Sequence, residues 1–439
     1  MALSNHPPRA ESFSAFLHLL DRHEESWDRF RVWGPMQTLL GIFALVEPGR
    51  RTSYQSACET THAWAGVRFE WNPDRAPDPA GFKRARDRVT EETCAEVLSD
   101  ARHLARSSIR SRDKRRLGGR PVVAFDGSTL HMPRVPETVM KYGVPKNKLG
   151  QETCHYPQAR LMTAWDLDSR TPLAWDLGSL GTGERAMAIT ILDQIPDEAV
   201  CVFDRGFPSR EFFGEVLDSR RHIVARMISS EAVAWTEVAD FLASGKRDAI
   251  VPVWVGSGPR RRQVRFRLVL RTFDRGRPFK YQNRKSMVVI TSLIHEPMTA
   301  RDLCRLYGER WGIETLYREL KAVAEIERWH GRSIELIRQE VILLLVWFCF
   351  AAIIAAAAVH ARLRQGKKRG AWRPNTRRIF SAIARIMEAL LAGKMDEGIV
   401  AELIRRANAA IISVIRWMLK QRLGRCYRRK PLHPYARTL

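Results

Sequence analysis

The stretch 302-DLCRLYGERWGIETLYRELKAVAEIER-328 decides the interpretation of this chain. It contains no proline, and its apolar residues recur every three or four positions, which predicts one helix over the whole stretch. Tyr307, Arg310, Glu314 and Lys321 project from such a helix within an arc of about 60°. An apolar stripe is centred about 120° away, so one face is predicted to pack into a core. The neighbouring face then presents a column of polar groups.

Three of these four groups suit a phosphate-rich substrate. Arg310 can bind a phosphate through two hydrogen bonds, Lys321 supplies a point charge, and Tyr307 can donate a hydrogen bond. Glu314 would repel phosphate unless it holds a divalent metal ion that itself contacts the phosphate. The alternative is a solvated helix face with ion pairs between successive turns, and this helix alone does not decide between the two.

Composition favours a polyanionic partner. The 439-residue chain carries 73 Lys and Arg against 48 Asp and Glu, a net charge of +25, and 45% of its residues are hydrophobic. Such a balance indicates nucleic acid rather than membrane. From His360 to the end there are 20 Lys and Arg against four Asp and Glu, so the basic excess is concentrated there.

Cysteine usage and the N-terminus favour a reducing, cytoplasmic compartment, and a bacterial, nucleoid-associated location is implied only by the family resemblance given below. The seven cysteines are scattered and include no CxxC pair, which argues against a zinc site or a disulfide framework. The first twelve residues contain no apolar signal core, so no export signal is expected. The 19 uncharged residues Val341–Val359 are long enough to span a bilayer. They are interpreted as a buried helix, because half of them are mostly alanine and basic segments lie on both sides.

The N-terminal part is predicted to be helical and to contact DNA. Helical patterns over residues 12–70 end at a proline-rich break at 72–80. Residues 81–116 are then predicted to form one long basic helix that starts with Lys83-Arg84-Ala85-Arg86. Basic residues at the start of a helix after a turn suit a DNA-reading helix, so Arg84 and Arg86 are candidate DNA contacts. The alternative is an ordinary solvated helix end.

The pattern changes to alternating strands and helices near residue 120. Apolar runs at 121–126 and 199–204 each end in an aspartate, and runs at 158–167 and 171–178 are predicted to form a hairpin. Thr182 is predicted to cap a helix over 183–195. Residues 229–285 resemble an inserted module of short strands, which is strongly basic after Gly256.

Asp126 and Asp204 are the candidate partners of Glu314. If their strands are neighbours and parallel, both carboxylates emerge at the same edge of the sheet, where sites in α/β sheets form. The alternatives are a common Asp-Gly turn for Asp126 and a turn or helix cap for Asp204. Three such carboxylates can hold two Mg²⁺ ions about 3.5–4 Å apart, which serves phosphodiester cleavage and transfer. Oxygen ligands without His or Cys favour Mg²⁺ or Mn²⁺ over zinc.

The blocks VVAFDGSTL, VCVFDRGF and the Tyr307, Arg310, Glu314, Lys321 spacing resemble the three catalytic blocks of bacterial DDE transposases. The resemblance is to the insertion-sequence-four family, and to its subgroup defined by that Tyr, Arg, Glu, Lys motif. It covers three short blocks, and the order of strands and helices extends it over about residues 120–330. The pattern FKRARDRV resembles the N-terminal region of that family more weakly.

The resemblance implies an α/β fold, a ribonuclease-H-like catalytic core with a β-rich insertion and α-helical flanks. It implies that Asp126, Asp204 and Glu314 bind two metal ions and that Tyr307, Arg310 and Lys321 hold phosphates at the cleaved end. The implied regions are a DNA-binding helical region 1–118, a core of 119–228 and 286–330, an insertion 229–285, and a helical region 331–439 with a basic tail.

The implied activity is cut-and-paste DNA transposition by a homodimer in a synaptic complex on double-stranded DNA, with nicking, hairpin formation and strand transfer. Some relatives hold a flipped base on an insertion-domain tryptophan. Trp254 is the candidate here, against an alternative as a core residue of a β module, and Trp311 beside Arg310 is a candidate for stacking at the DNA end. Some relatives carry a second lysine where this chain has Ala324. The alternatives are a domesticated DNA-binding regulator and a nuclease of the same fold that never joins strands.

Overall fold

The computed structural model describes residues 32–72, 74–109, 116–228, 234–272, 286–364 and 372–391, together with 409, 412–414 and 419–420. The helix predicted before residue 32 and most of the basic tail lie outside these residues. The helices are α1 Pro35–Leu45, α2 Tyr54–Ala65, α3 Pro79–Arg86, α4 Glu91–Ser108, α5 Pro136–Tyr142, α6 Glu184–Thr190, α7 Arg210–Asp218, α8 Thr236–Ala243, α9 Ala300–Gly308, α10 Trp311–Ala322, α11 Ile334–Arg364 and α12 Thr376–Leu391. The strands are β1 Val122–His131, β2 Gln158–Asp166, β3 Thr171–Ser179, β4 Val200–Phe203, β5 His222–Met227, β6 Asp248–Val255, β7 Arg262–Thr272, β8 Ser286–Thr291, β9 Trp372–Arg373 and β10 Leu419–Lys420.

A mixed eight-stranded sheet forms the centre of the molecule, in the order β3-β2-β1-β4-β5-β8-β7-β6. Strands β1, β4 and β5 are parallel, and the outer pairs are antiparallel. All four residues of β4 are buried, as expected for a continuous apolar run covered on both faces. The α/β class, the flanking helices and the predicted 158–178 hairpin are therefore confirmed.

The predicted insertion lies in the same hydrogen-bonded sheet as the core. Strand β7 pairs with β8, and β6 pairs with β7 at the edge. Outward-facing residues of β6 and β7 alternate with buried ones, which is the pattern of strands with one solvated face. The domain boundaries proposed above remain predictions.

The apolar segment 341–359 lies in the middle of α11, as a buried helix of a helical layer. Residues Ile334–Ala361 are long and apolar enough to cross a membrane by composition, but 89% of the most apolar window is buried within the protein. The Trp347 ring stacks on Phe43 of α1 at 4.2 Å between centroids and an angle of 4°. The whole of α1 is buried, so helices before and after the sheet share one core.

The predicted helix over 302–328 is wrong in its length. It is two helices joined by a tight turn, in which Arg310 N donates to Tyr307 O at 3.1 Å and Ile313 N donates to Arg310 O at 3.0 Å. The second helix ends at Ala322, and Glu325 follows with a left-handed φ of 52°. The predicted buried face is confirmed, because Leu306, Ile313, Leu316 and Leu320 are all buried.

Three other predicted boundaries are also wrong. The helix over 81–116 is divided into α3 and α4, because Thr90 accepts a hydrogen bond from Thr93 N and begins a new helix. Thr182 does not cap α6; it lies in a 3₁₀ turn, and Gly183, with a φ of 75°, is the residue before the helix. Strand β1 continues for five residues beyond Asp126, because its pairing with β2 extends to His131.

Candidate active site

The parallel pair β1 and β4 brings the two aspartates together, as predicted. The pairing register is Val122 with Val200 and Ala124 with Val202. Continued by two residues, the same register sets Asp126 opposite Asp204, and adjacent strands lie about 4.8 Å apart. Pairing between β1 and β4 stops at Ala124 and β4 ends at Phe203, so the two carboxylates lie where the strands separate.

Both aspartates are held by the backbone that follows them. The Asp126 carboxylate accepts a hydrogen bond from Gly127 N at 3.0 Å, and Asp204 accepts one from Gly206 N at 2.7 Å. The turn at Asp204 that was considered as an alternative is thus present. It fixes the carboxylate at the end of β4, so a turn and a role in the site are compatible.

The helical motif residues lie along β1. Arg310 Nη2 donates to Glu314 Oε1 at 2.5 Å, and Arg310 Nη1 lies 3.9 Å from Asp126 Oδ2. Lys321 at the end of α10 donates to the backbone carbonyl of Thr129. The structure therefore brings Asp126, Arg310 and Glu314 into one group, although 188 positions separate the first and the last in sequence.

Arg310 is the cation of this group and is itself buried, with 8% of its surface exposed. The ion pair with Glu314 is the one that the alternative of a solvated helix face would give. Its arginine side is buried, whereas the Glu314 side chain is 37% exposed. Tyr307 is 5% exposed and lies beside the guanidinium. A contact between the Tyr307 hydroxyl group and a phosphate remains a prediction.

Electrostatics at the site disfavour charge on Asp126. Burial raises its pKa to about 7, with Asp204 and Glu184 acting in the same direction, while Arg310 and the Gly127 N–H oppose the shift. Burial is the largest cause of the raised pKa, so a cation bound beside Asp126 would favour its ionised form.

The donor chemistry of the site fits a divalent cation, but the three carboxylates are not gathered into one cluster. Asp126 and Glu314 share one planar guanidinium, so their facing oxygens lie within about 9 Å of each other. That separation is comparable to the span of two metal ions about 3.5–4 Å apart with their ligands. In the part of the chain that the structure describes, no three His, Cys, Asp or Glu side chains are close enough to hold a metal ion. The predicted convergence is thus incomplete, because Glu314 is turned toward Arg310.

Two residues near the site were missed by the sequence reasoning. Glu184 lies against Gly127, close enough for its charge to act on Asp126, and its carboxylate is 3.6 Å from Arg160. Tyr317 donates to the backbone carbonyl of Asp126 at 2.5 Å and so fixes β1 against α10. A glutamate in the first turn of a helix and a tyrosine on an apolar face are both common, so neither carried a signal.

The two predicted DNA contacts of α3 lie in different environments. Arg84 is exposed, whereas Arg86 is 0% exposed and donates to Glu340 Oε1 at 2.7 Å. Arg86 as a DNA contact is therefore wrong: the helix turns it into the core, where Tyr54, Gln339 and the backbone carbonyl of Leu336 accept its remaining hydrogen bonds.

The two candidate tryptophans are both at the surface. Trp254 on β6 is 43% exposed, with the Arg261 guanidinium 5.1 Å from its ring, so the alternative of a core residue is wrong. Trp311 is 51% exposed at the start of α10, directly beside Arg310. Their contacts with DNA remain predictions.

Comparison with known proteins gives two matches. A family model described as the transposase DDE domain matches residues 117–349, which include Asp126, Asp204 and Glu314. The chain is also similar to the transposase InsG for insertion sequence element IS4 of Escherichia coli (strain K12), at 23% identity over 278 residues. That match covers 60% of this chain and 58% of the relative, so the chain spans little more than half the length of the curated protein it matches.

Proposed function

This chain belongs to the DDE transposases of the insertion-sequence-four (IS4) family, and from that premise we propose that it cleaves and joins DNA strands at the ends of a mobile element. One observation carries the proposal. Asp126, Arg310 and Glu314, which are far apart in the chain, form one group around the buried guanidinium of Arg310, and the charge of Asp204 acts on Asp126. A group of ionisable side chains that includes a carboxyl group with a strongly shifted pKa is typical of catalytic sites.

Asp126, Asp204 and Glu314 would hold two divalent cations, Mg²⁺ or Mn²⁺. Bound there, the cations would activate the attacking oxygen and stabilise the leaving oxygen of a phosphodiester. The basic side chains that give the chain its net charge of +25 would bind the DNA backbone. The carboxylates of the site would act only at the reacting phosphate.

Arg310 and Lys321 would position the DNA end. The guanidinium of Arg310 faces two carboxylates now, and a scissile phosphate offers the same planar pairing. Lys321 lies on α10 two turns beyond Glu314, so its ammonium group is placed for a phosphate farther along the strand. Trp311 is exposed beside them and offers a stacking surface for the terminal base.

The reaction would follow the order implied by the family resemblance. Water nicks the element end and releases a 3′-hydroxyl, which attacks the opposite strand and forms a hairpin. Opening of the hairpin and transfer of the strand to target DNA complete the reaction. We propose a homodimer on paired ends as the active species, and sedimentation with end DNA tests it.

Substitution of the carboxylates tests the proposal. We expect Asp126→Asn, Asp204→Asn and Glu314→Gln each to abolish nicking of an end duplex in Mg²⁺, while a gel shift still shows binding. Asp240→Asn, an exposed carboxylate on α8, is the matched control and keeps full nicking. Residual cutting by any of the three variants would remove that residue from the site. Nicking without joining to a target plasmid would instead identify a nuclease of the same fold.

A further inference from the structure

The connection between β1 and β2 carries an unusual concentration of exposed apolar side chains. We call residues 132–157 the β1–β2 excursion. Among the described residues, the two most exposed large apolar side chains are Met140 at 85% and Leu149 at 82%, and both lie in it. Tyr156, 50% exposed, is a third. Single exposed apolar residues are common, but a group of them on one protruding element marks an interaction surface.

The tip of the excursion is a preorganised turn. Asn147 Oδ1 accepts hydrogen bonds from Leu149 N and Gln151 N, both at 3.0 Å, and Asn147 N donates to Gln151 O at 2.9 Å. Gly150 supplies the positive φ of 78° that closes the turn. Leu149 is thus held at the tip by a polar frame, with 82% of its surface exposed.

The base of the excursion is fixed to the body of the protein. Within the excursion, Arg134 makes two hydrogen bonds to the Glu152 carboxylate, at 2.9 and 3.2 Å, and toward the body Glu137 accepts one from Ile334 N at 3.1 Å. Tyr142 is buried, and its carbonyl accepts a hydrogen bond from Ser179. The tip is therefore presented by a rigid support, so little conformational entropy is lost when it binds.

The charges around the tip select the partner. Lys146 and Lys148 precede Leu149 by three positions and by one, and both are exposed; Lys141 follows Met140. The excursion continues from β1 about 17 Å beyond Asp126, at the end of the strand that carries the site. An apolar tip beside two exposed lysines suits a DNA duplex, in which an apolar side chain inserts between base pairs while the ammonium groups contact neighbouring phosphates.

We propose that the β1–β2 excursion is a DNA wedge, in which Leu149 inserts between two base pairs of bound duplex and Lys146 and Lys148 hold the adjacent backbone. The proposal rests on the proposed function, because it assumes that DNA lies along β1. It assigns a residue that opens or bends the duplex at a distance from the cleaved phosphate.

The test uses the full chain with Asp126→Asn, which prevents cutting, and a duplex copied from the DNA that borders the gene. 2-Aminopurine is placed at successive positions about 3 to 12 base pairs from the expected end, spanning the reach of the excursion. We expect a rise in fluorescence at one or two neighbouring positions on binding. Leu149→Ala should abolish that rise and weaken binding about tenfold, in line with the loss of one buried leucine side chain.

Further variants separate a wedge from a merely structural residue. Lys146→Gln with Lys148→Gln should lower the slope of log affinity against log salt by about 2. Asn147→Ala should lose most of the fluorescence rise although Leu149 is present, and Asn147→Asp, which keeps the accepting oxygen, should restore it. Arg220→Gln, an exposed cation on a turn far along the sheet, serves as the charge control and leaves the fluorescence rise unchanged.

The outcomes separate a failure of the wedge proposal from a failure of the proposed function. If the chain binds and nicks DNA but Leu149→Ala behaves like the parent, the wedge is wrong and the proposed function stands. If neither protein binds the duplex, the proposed function fails and the wedge fails with it. If Leu149→Ala changes only the sedimentation of the protein without DNA, the excursion is a contact between copies of the chain, which also overturns the wedge.

Discussion

Arg86 at the end of α3 and Arg310 in the turn before α10 are both buried arginines that face a carboxylate, yet their surroundings differ. Arg86 lies between α3 and α11, where Glu340, Gln339, Tyr54 and a backbone carbonyl accept hydrogen bonds from all three of its guanidinium nitrogens. Arg310 hydrogen-bonds to Glu314, and its Nε atom is buried without a partner among the described residues. A fully satisfied arginine fixes two elements together, whereas an incompletely satisfied one retains capacity for a ligand.

The two arginines also differ in their effect on the pKa of the carboxyl group that each one faces. Opposite Arg86, the pKa of the fully buried Glu340 is lowered, although burial acts to raise it. Opposite Arg310, the pKa of Asp126 is still raised to about 7. Arg86 and His330 outweigh the burial of Glu340, whereas Arg310 does not outweigh the burial of Asp126, so a bound cation would favour the ionised form of Asp126.

Removing Arg86 should give the largest loss of stability. We expect Arg86→Ala to lower the free energy of unfolding by about 3–5 kcal/mol, because it leaves the Glu340 carboxylate buried without a charge partner. Urea denaturation measures the change. A loss below about 1 kcal/mol would mean that water reaches Glu340 and that the pair is not a structural fixture.

Removing Arg310 should act on the chemistry instead. Arg310→Ala is expected to reduce strand nicking about 10²–10³-fold, the effect of losing one preorganised donor at a reacting oxygen. Its free energy of unfolding should change by about 1 kcal/mol, the size of one hydrogen bond. Arg310→Lys tests the planar pairing, and near-normal nicking by this variant would show that only the charge is required. Equal losses of stability in the Arg86 and Arg310 variants would contradict the assignment of Arg86 to structure and of Arg310 to catalysis.

The sequence predicted the strands and the motif residues, but it did not predict which arginines are exposed and which are buried. Short apolar runs ending in Asp126 and Asp204 predicted two strands, and their register then placed the carboxylates together. Arg84 and Arg86 belong to one basic run, and only the direction in which α3 packs decides that one is exposed and the other buried. Tertiary packing of this kind leaves no mark on a single sequence, and neither does the approach of Glu184 to Asp126.

The burial of Asp126 predicts a gain of stability in an inactive variant. Because the folded-state pKa is raised above its ordinary value, the folded protein is favoured while Asp126 is protonated, and that contribution is lost as the pH rises from about 4 through about 7. Asp126→Asn should therefore be more stable than the parent by about 4 kcal/mol at pH 8 in EDTA, and equal to it near pH 4. Thermal unfolding at several pH values gives the difference. Parallel curves for the two proteins would show that Asp126 is charged throughout at little cost.

The smallest effect is expected at Arg84, the exposed arginine of the basic run on α3 that also contains the buried Arg86. Arg84 is exposed, so Arg84→Gln should leave the free energy of unfolding within about 0.5 kcal/mol of the parent. If α3 contacts DNA, one lost phosphate contact lowers the slope of log affinity against log salt by about 0.9. Fluorescence anisotropy of a labelled duplex over a salt series measures this slope, with Arg170→Gln in the turn between β2 and β3, an exposed arginine, as the matched control. An unchanged slope would leave α3 as a structural helix whose one essential cation is Arg86, and DNA binding would then be assigned to basic surfaces elsewhere on the chain.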